Sequence, residues 1–194
     1  MLKEGILYLE GALAPETCAE LRGIYDSGLS HATQRDYNGN PAIYFGDLRD
    51  EHERSALACV GVLAGLFIRE WFNKPAGYLE SVFLQRKGPK DIIEPHYDNV
   101  RLDGKTPNHT AYRTMSSLFY LSKWGGGGEI VFPDQGRKIM PSAGSFLAFP
   151  SGHPYLHYVE PVVAGLRYSA PVWFTEHKDR ELRRRGYAHA PQDG

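Results

Sequence analysis

Glu94-Pro95-His96-Tyr97-Asp98-Asn99 is the stretch from which the rest of this 194-residue chain is read. Side chains of an extended strand alternate with period two, so an imidazole and a carboxylate two positions apart face the same side. Such a pair can grip one metal ion but needs a third ligand from elsewhere in the chain, and His157 is the best candidate. Two His and one carboxylate on one face of an ion leave the opposite face open. That arrangement suits non-haem Fe(II), which must bind a cosubstrate and O2 together. Taken alone, His-x-Asp reads more simply as a surface turn or a strand edge, so the surrounding sequence has to decide.

Hydrophobic residues make up 42% of the chain, which predicts a globular fold with a real core. Lys plus Arg number 22 and Asp plus Glu 23, for a net charge of -1. That balance gives no reason to expect nucleic-acid or membrane-surface binding. Cys18 and Cys59 both fall in helical patterns and read as buried free thiols. The opening Met1-Leu2-Lys3-Glu4-Gly5 lacks the apolar core of a signal peptide, and no apolar run reads as long enough to span a bilayer. The expectation is a soluble, cytoplasmic protein, in which Asn108-His109-Thr110 matches the glycosylation pattern by accident. Nothing in the sequence fixes an oligomeric state.

Upstream of the opening stretch, residues 5–11 read as a short strand. A helix follows from Ala14-Pro15-Glu16 to Gly28, carrying Cys18, Leu21, Ile24 and Tyr25 at helical spacing. Asn38-Gly39-Asn40-Pro41 marks a turn, with strand-forming Ile43-Tyr44-Phe45 after it. A longer helix spans 51–72, with Leu57, Val60, Leu63, Ala64, Phe67, Ile68 and Trp71 in one stripe. Its Gly61 and Gly65 would let a neighbour pack close. From 78 to 174 the texture changes to short strand-like runs at 78–86, 94–99, 116–121, 129–132, 138–140, 145–149, 156–159 and 167–174. The predicted fold is mainly β with supporting α-helices, a double-stranded β-helix or jelly roll. It forms one domain, with helical support over 1–75, the core over 76–176 and a charged tail over 177–194. The segments 27–49, 86–93 and 100–113 read as loops that either serve as lids or are plain mobile surface. The tail starts helix-compatible near Lys178 and ends frayed.

Around His157 the sequence runs Phe149-Pro150-Ser151-Gly152-His153-Pro154-Tyr155-Leu156-His157-Tyr158-Val159-Glu160-Pro161-Val162, then Gly165-Leu166-Arg167-Tyr168. With His96-x-Asp98, this pattern resembles the 2-oxoglutarate/Fe(II)-dependent dioxygenases, in particular their prolyl hydroxylase branch. The likeness runs from 78 to 175 and includes Tyr120-Leu121, Gly127-Gly128-Glu129-Ile130-Val131-Phe132, Pro141-x-x-Gly144 and Trp173-Phe174. Pro107-Asn108-His109-Thr110-Ala111-Tyr112-Arg113, with Ser116 and Ser117, looks most like prolyl 3-hydroxylase catalytic domains. Leu13-x-Pro15-Glu16-x-Cys18 looks like the family's opening helix.

The resemblance implies that His96, Asp98 and His157 hold iron. It also implies that Arg167, ten positions after His157, pairs with the distal carboxylate of 2-oxoglutarate, and that Tyr120 hydrogen-bonds the same group. Physically, an Arg flanked by apolar residues needs an anion, either a bound carboxylate or an internal acid. Tyr120 also reads as a plain core aromatic. His153 competes with His157 but sits beside Pro154 in an expected loop, while His31, His52 and His109 read as surface or substrate-loop residues. Asn99 is either an orienting neighbour of Asp98 or a turn residue. Arg101 and Arg113 are open to substrate contact, and Glu129 reads as structural. The Gly125–Gly128 run is a turn and not a phosphate loop, because no Lys-Ser/Thr follows it.

The implied cofactors are Fe(II), 2-oxoglutarate, O2 and ascorbate. The implied reaction is hydroxylation of an unactivated C–H bond, with release of succinate and CO2. Because Asp98 is present, hydroxylation is expected and halogenation is not. The expected substrate is a small molecule or a peptide, with proline or another amino-acid residue favoured. A natural-product intermediate is the second reading and a non-catalytic metal-binding jelly roll the third.

Overall fold

The computed structural model describes residues 5–36 and 38–182. Their strands and main helices are β1 (Leu7–Leu9), α1 (Pro15–Gly28), β2 (Gln34–Arg35), β3 (Pro41–Tyr44), α2 (Glu51–Phe72), β4 (Tyr78–Lys87), β5 (Ile93–His96), β6 (Arg113–Tyr120), β7 (Ile130–Phe132), β8 (Arg137–Ile139), β9 (Phe146–Pro150), β10 (His157–Val159) and β11 (Arg167–Thr175). They form a seven-stranded antiparallel sheet, ordered β1-β9-β6-β11-β4-β3-β2, and a four-stranded one, ordered β5-β10-β7-β8. The two sheets face each other in the jelly roll that the sequence predicts.

The large sheet is apolar on both faces. Phe146 and Ala148 of β9, with Ala170, Val172 and Phe174 of β11, pack under the helices. Leu147 and Phe149 point the other way, against Ile130, Phe132 and Val159 of the small sheet. A strand buried on both sides reads as a continuous apolar run, which is why 146–149 shows no alternation.

The helix α2 starts on Asp50, whose carboxylate accepts from the N–H groups of His52 and Glu53, and ends at Asn73 in the left-handed region. It lies close on the sheet because of its glycines. A Cβ at Gly61 would come within 2.6 Å of Leu79 Cδ2, and one at Gly65 within 3.4 Å of Phe174 Cε1. This helix corrects two expectations. By length and composition it is long and apolar enough to cross a membrane, with a mean hydropathy of 1.5. The uncharged run between Arg54 and Arg69 is short, and the helix reaches spanning length only with its charged flanks, which a search for an unbroken apolar run does not count. Cys59 is exposed rather than buried, on the face of α2 turned away from the sheet; Cys18 is buried, as expected.

Segment 27–49 is not one open loop. It holds a 3-10 turn at Leu29–His31, the β2–β3 hairpin and another 3-10 turn at Phe45–Asp47. A two-residue strand such as β2 has no period to read. Segment 100–113 folds on itself, with Asp103 accepting from Lys105 and Thr106, and Asn108 accepting from Thr110. The tail begins with a single 3-10 turn at Lys178–Arg180, and of the helix-compatible stretch 181–185 only Glu181 and Leu182 are described. The arginine run at 183–185, the terminal residues 191–194 and residues 1–4 lie outside the described residues.

Candidate active site

His96 ends β5 and His157 opens β10, and the register places the two directly opposite each other, ring centroids 4.3 Å apart. His96 Nδ1 lies 2.7 Å from the Glu94 carbonyl and His157 Nδ1 lies 3.1 Å from that of Tyr155. A carbonyl only accepts, so each Nδ1 carries a proton, and in the neutral ring Nε2 keeps its lone pair.

Asp98 reaches the same point by a different route from the one the sequence suggests. Strand β5 stops at His96, short of the expected 94–99, so strand alternation alone does not aim the carboxylate. Three contacts fix it instead. The Asp98 N–H donates to the Ser151 carbonyl (2.9 Å), Thr110 Oγ1 donates to the Asp98 carbonyl (2.6 Å), and Ser116 Oγ donates to Oδ2 (2.5 Å). Ser151 Oγ lies 2.8 Å from Ser116 Oγ and completes a buried hydroxyl pair. Asp98 Oδ1 is then 3.5 Å from His96 Nε2, and Oδ2 is 4.0 Å from His157 Nε2. One ligand atom from each of the three residues lies within 4.8 Å of the others, so the cluster could hold a metal ion.

Burial pushes the His157 imidazole down to about 4, against the opposing pull of the Asp98 charge, so the ring is neutral and able to ligate at neutral pH. At His96 burial also opposes protonation, but Asp98 and the Glu94 carbonyl outweigh it and the imidazole sits above its ordinary value. Burial would raise the Asp98 carboxyl. The His96 contact and the charges of His157 and Arg113 overcome it and hold the group well below the usual carboxylate range.

Further along the cavity, which measures about 190 Å³, lies Arg167. It is fully buried, and none of its three guanidinium nitrogens meets an acceptor among the described residues. The guanidinium stands 4.8 Å from the Tyr120 ring centroid and 5.6 Å from that of Trp124. The Tyr120 hydroxyl is buried and also without a partner among the described residues. Burial raises its pKa, and the Arg167 charge opposes the rise. Among the described residues no acid answers Arg167. The glycine turn before β7 closes over this end: Trp124 Nε1 donates to the Gly127 carbonyl (2.6 Å), and a Cβ at Gly128 would press on Arg167 Cδ at 3.1 Å.

The other candidates separate cleanly. His31, His52, His109 and His153 are exposed, and His52 pairs with Glu20 at 2.8 Å. Asn99 does not touch the Asp98 carboxylate; its Nδ2 donates to the Arg113 carbonyl (2.8 Å) and ties off the 100–113 segment. Arg113 Nε lies 3.0 Å from the buried Glu80 carboxylate, and its guanidinium stands 4.1 Å from the Trp173 ring centroid at the cavity wall. Arg101 is exposed, and Glu129 stands 3.8 Å from Lys138. Sequence reasoning missed Ser116, Ser151, Trp124 and a Lys87–Asp36 ion pair at the cavity edge. Ser116 and Ser117, polar residues inside the apolar run 115–121, were the available signal, and of the two only Ser116 meets the cluster, while Ser117 Oγ donates to the Val172 carbonyl.

Comparison with known proteins agrees with this geometry. The pattern of the 2OG-Fe(II) oxygenase superfamily matches residues 82–175. The 2-oxoglutarate and iron-dependent oxygenase domain-containing protein 3 of Rattus norvegicus is 30% identical over 145 residues, which cover 71% of this chain and 42% of that protein. The prolyl 3-hydroxylase 3 of Homo sapiens is 32% identical over 106 residues, covering 47% of this chain and 14% of that protein. This chain therefore spans less than half the length of these curated relatives. Among solved structures, the viral collagen prolyl hydroxylase of Paramecium Bursaria Chlorella virus-1, in its 2OG complex, superposes with a TM-score of 0.70 at 21% identity. That match covers 90% of this chain and 97% of that one. Fold and sequence likeness, with a His-Asp-His cluster inside the jelly roll, make this chain a member of the 2OG-Fe(II) oxygenase superfamily, on its prolyl hydroxylase-like side.

Proposed function

We propose that the chain is a hydroxylase that uses Fe(II), 2-oxoglutarate and O2, acts on a prolyl or other amino-acid residue, peptidyl or free, and releases succinate and CO2. The observation that carries this reading is the pairing, in one cavity, of a three-donor cluster with a fully buried guanidinium that lacks an acceptor among the described residues. The cluster fits a divalent ion that prefers imidazole and carboxylate, and the guanidinium fits a carboxylate reaching past that ion. His96, Asp98 and His157 would hold the iron, and Arg167, with the Tyr120 hydroxyl, would hold the distal carboxylate of 2-oxoglutarate. Bound iron and 2-oxoglutarate together supply the oxidising chemistry. The protein's own part is to fix the donors, keep water out and present the C–H bond. No acid or base residue is assigned.

Support for a prolyl substrate comes from the cavity wall. Trp173 lines the cavity and is held rigid from behind by Phe83 at 5.5 Å, which in turn stacks on Tyr44 at 4.5 Å, so it offers a fixed apolar surface to a saturated ring. The relatives named as prolyl hydroxylases point the same way. A panel of free amino acids and proline-containing peptides, assayed for succinate above the uncoupled background, tests the proposal. The expected result is stimulation by a prolyl peptide, with one oxygen atom added to it. If no panel member stimulates release and the anaerobic Fe(II) protein shows no visible band with 2-oxoglutarate, the reading fails.

Ser116 supplies a second test. Its hydroxyl orients the Asp98 carboxylate, so Ser116→Ala should weaken Fe(II) binding by about 10–100-fold, the range for a partner one step behind a ligand. Ser116→Thr, which keeps the hydroxyl, should restore it. A chelator-competition titration under argon reads both.

A further inference from the structure

One charged pair in this cavity belongs neither to the cluster nor to the cores. Lys87 lies directly opposite Arg167 on the paired strands β4 and β11. Residues facing each other across an antiparallel pair project to the same side, and both of these line the cavity. Two cations therefore stand together at its end. Arg167 is left without an acceptor, whereas Lys87, 3% exposed, is neutralised: its Nζ is 2.5 Å from Asp36 Oδ2. Asp36 comes from the turn between β2 and β3, where its Oδ1 accepts from the N–H groups of Asn38 (2.9 Å) and Asn40 (3.0 Å). One carboxylate thus shapes the hairpin turn and cancels the second cation. The hairpin is also stitched to the strand leading into the cluster, since Asn38 Nδ2 donates to the Ile92 carbonyl (2.8 Å) and Asn40 Nδ2 to Asp91 (2.9 Å).

A buried ion pair is a poor device for stability alone, because apolar contacts would pin a hairpin without desolvating two charges. At the wall of an anion site it has an electrostatic effect, since charges a few ångströms apart in a dry cavity act strongly on a ligand. We propose that Asp36 and Lys87 are specificity-determining residues for the cosubstrate: the hairpin carboxylate cancels Lys87, leaving one positive charge, on Arg167, matched to one distal carboxylate. This rests on the reading that 2-oxoglutarate binds with its distal carboxylate at Arg167.

The test titrates 2-oxoglutarate into anaerobic Fe(II) protein and reads binding, without turnover, from the visible charge-transfer absorption. Asp36→Asn keeps an oxygen for the Asn38 and Asn40 N–H groups but removes the charge. It should bind 2-oxoglutarate about fivefold or more tighter, and Lys87→Gln should bind it about fivefold or more weaker, on the scale of coupled neighbouring sites. The Asp36→Asn/Lys87→Gln double variant should return to near the wild-type value. 2-Oxobutyrate, which lacks the distal carboxylate, should bind all four proteins alike. If both acids shift together, or neither shifts, the pair only pins the hairpin and the proposal is overturned. If Lys87→Gln does not fold, Asp36→Asn and the double variant still decide between these results. A wild-type protein that binds 2-oxobutyrate but gains nothing from a distal carboxylate would instead overturn the role of Arg167, and is recognised before any variant is made.

Discussion

Replacing His157 with alanine should remove Fe(II) binding at stoichiometric concentrations and lower succinate release by more than about 100-fold, beyond the range expected for a residue that only supports a ligand. The imidazole is 5% exposed and lies against Phe149 (4.7 Å between centroids) and Phe132 (5.7 Å), with Nδ1 fixed on the Tyr155 carbonyl. Its Nε2 therefore has one direction available, toward Asp98 and His96. Among the described residues no neighbouring imidazole outside the cluster can take over. His153, the nearest in sequence, sits on an exposed turn with its ring 6.0 Å from Tyr97. His153→Ala is thus the matched control and should bind Fe(II) as the parent does. The apoprotein of His157→Ala should remain folded by circular dichroism, because the jelly-roll pairing on either side of β10 is made by backbone groups. Should His157→Ala keep its iron while His153→Ala loses it, the third ligand has been misassigned.

The parts of this fold that were legible in the sequence are those encoded over short distances. All eight strand-like runs after residue 76 appear as strands with shifted ends, because β-rich runs between Gly and Pro turns report local geometry. The long helix is legible from its stripe, and the structure adds the Asp50 cap at its start. The cluster was half legible. The spacing of His96 and Asp98 drew attention for a reason that is only partly right, since Asp98 lies in a bend aimed by Ser116, Ser151 and Thr110. What the sequence could not disclose is pairing across the fold. Lys87 meets Asp36 across 51 positions only because the β2–β3 hairpin joins the edge of the large sheet. Arg167 was recognisable as a charge in an apolar strand, yet its lack of an acceptor is a property of everything around it. Cys59 was misread for the converse reason: a helical period identifies a stripe but not which residues beside it a neighbour covers.

Arg167→Met should separate stability from function in opposite directions. The guanidinium is fully buried, and its Nε, Nη1 and Nη2 lack acceptors among the described residues. Contacts with the faces of Tyr120 and Trp124 offset about 1–2 kcal/mol. That is less than the several kcal/mol that desolvating an unpaired charge costs. Methionine has a similar reach, fills the space flexibly and carries no charge. The apoprotein of the variant should therefore be more stable by about 1–4 kcal/mol, seen as a melting temperature higher by roughly 2–4 °C per kcal/mol for a chain of this size. Its affinity for 2-oxoglutarate should fall by about 100-fold or more, because the ligand's distal carboxylate would enter a dry cavity with no partner. In the parent, 2-oxoglutarate should raise the melting temperature of the metal-loaded protein; in the variant at the same concentration it should not. A residue kept only for packing predicts the reverse, an apoprotein that loses stability and a ligand affinity that does not move. Thermal scans with and without 2-oxoglutarate decide between the two, because a buried charge that costs the empty protein stability is accounted for only by the anion it is there to meet.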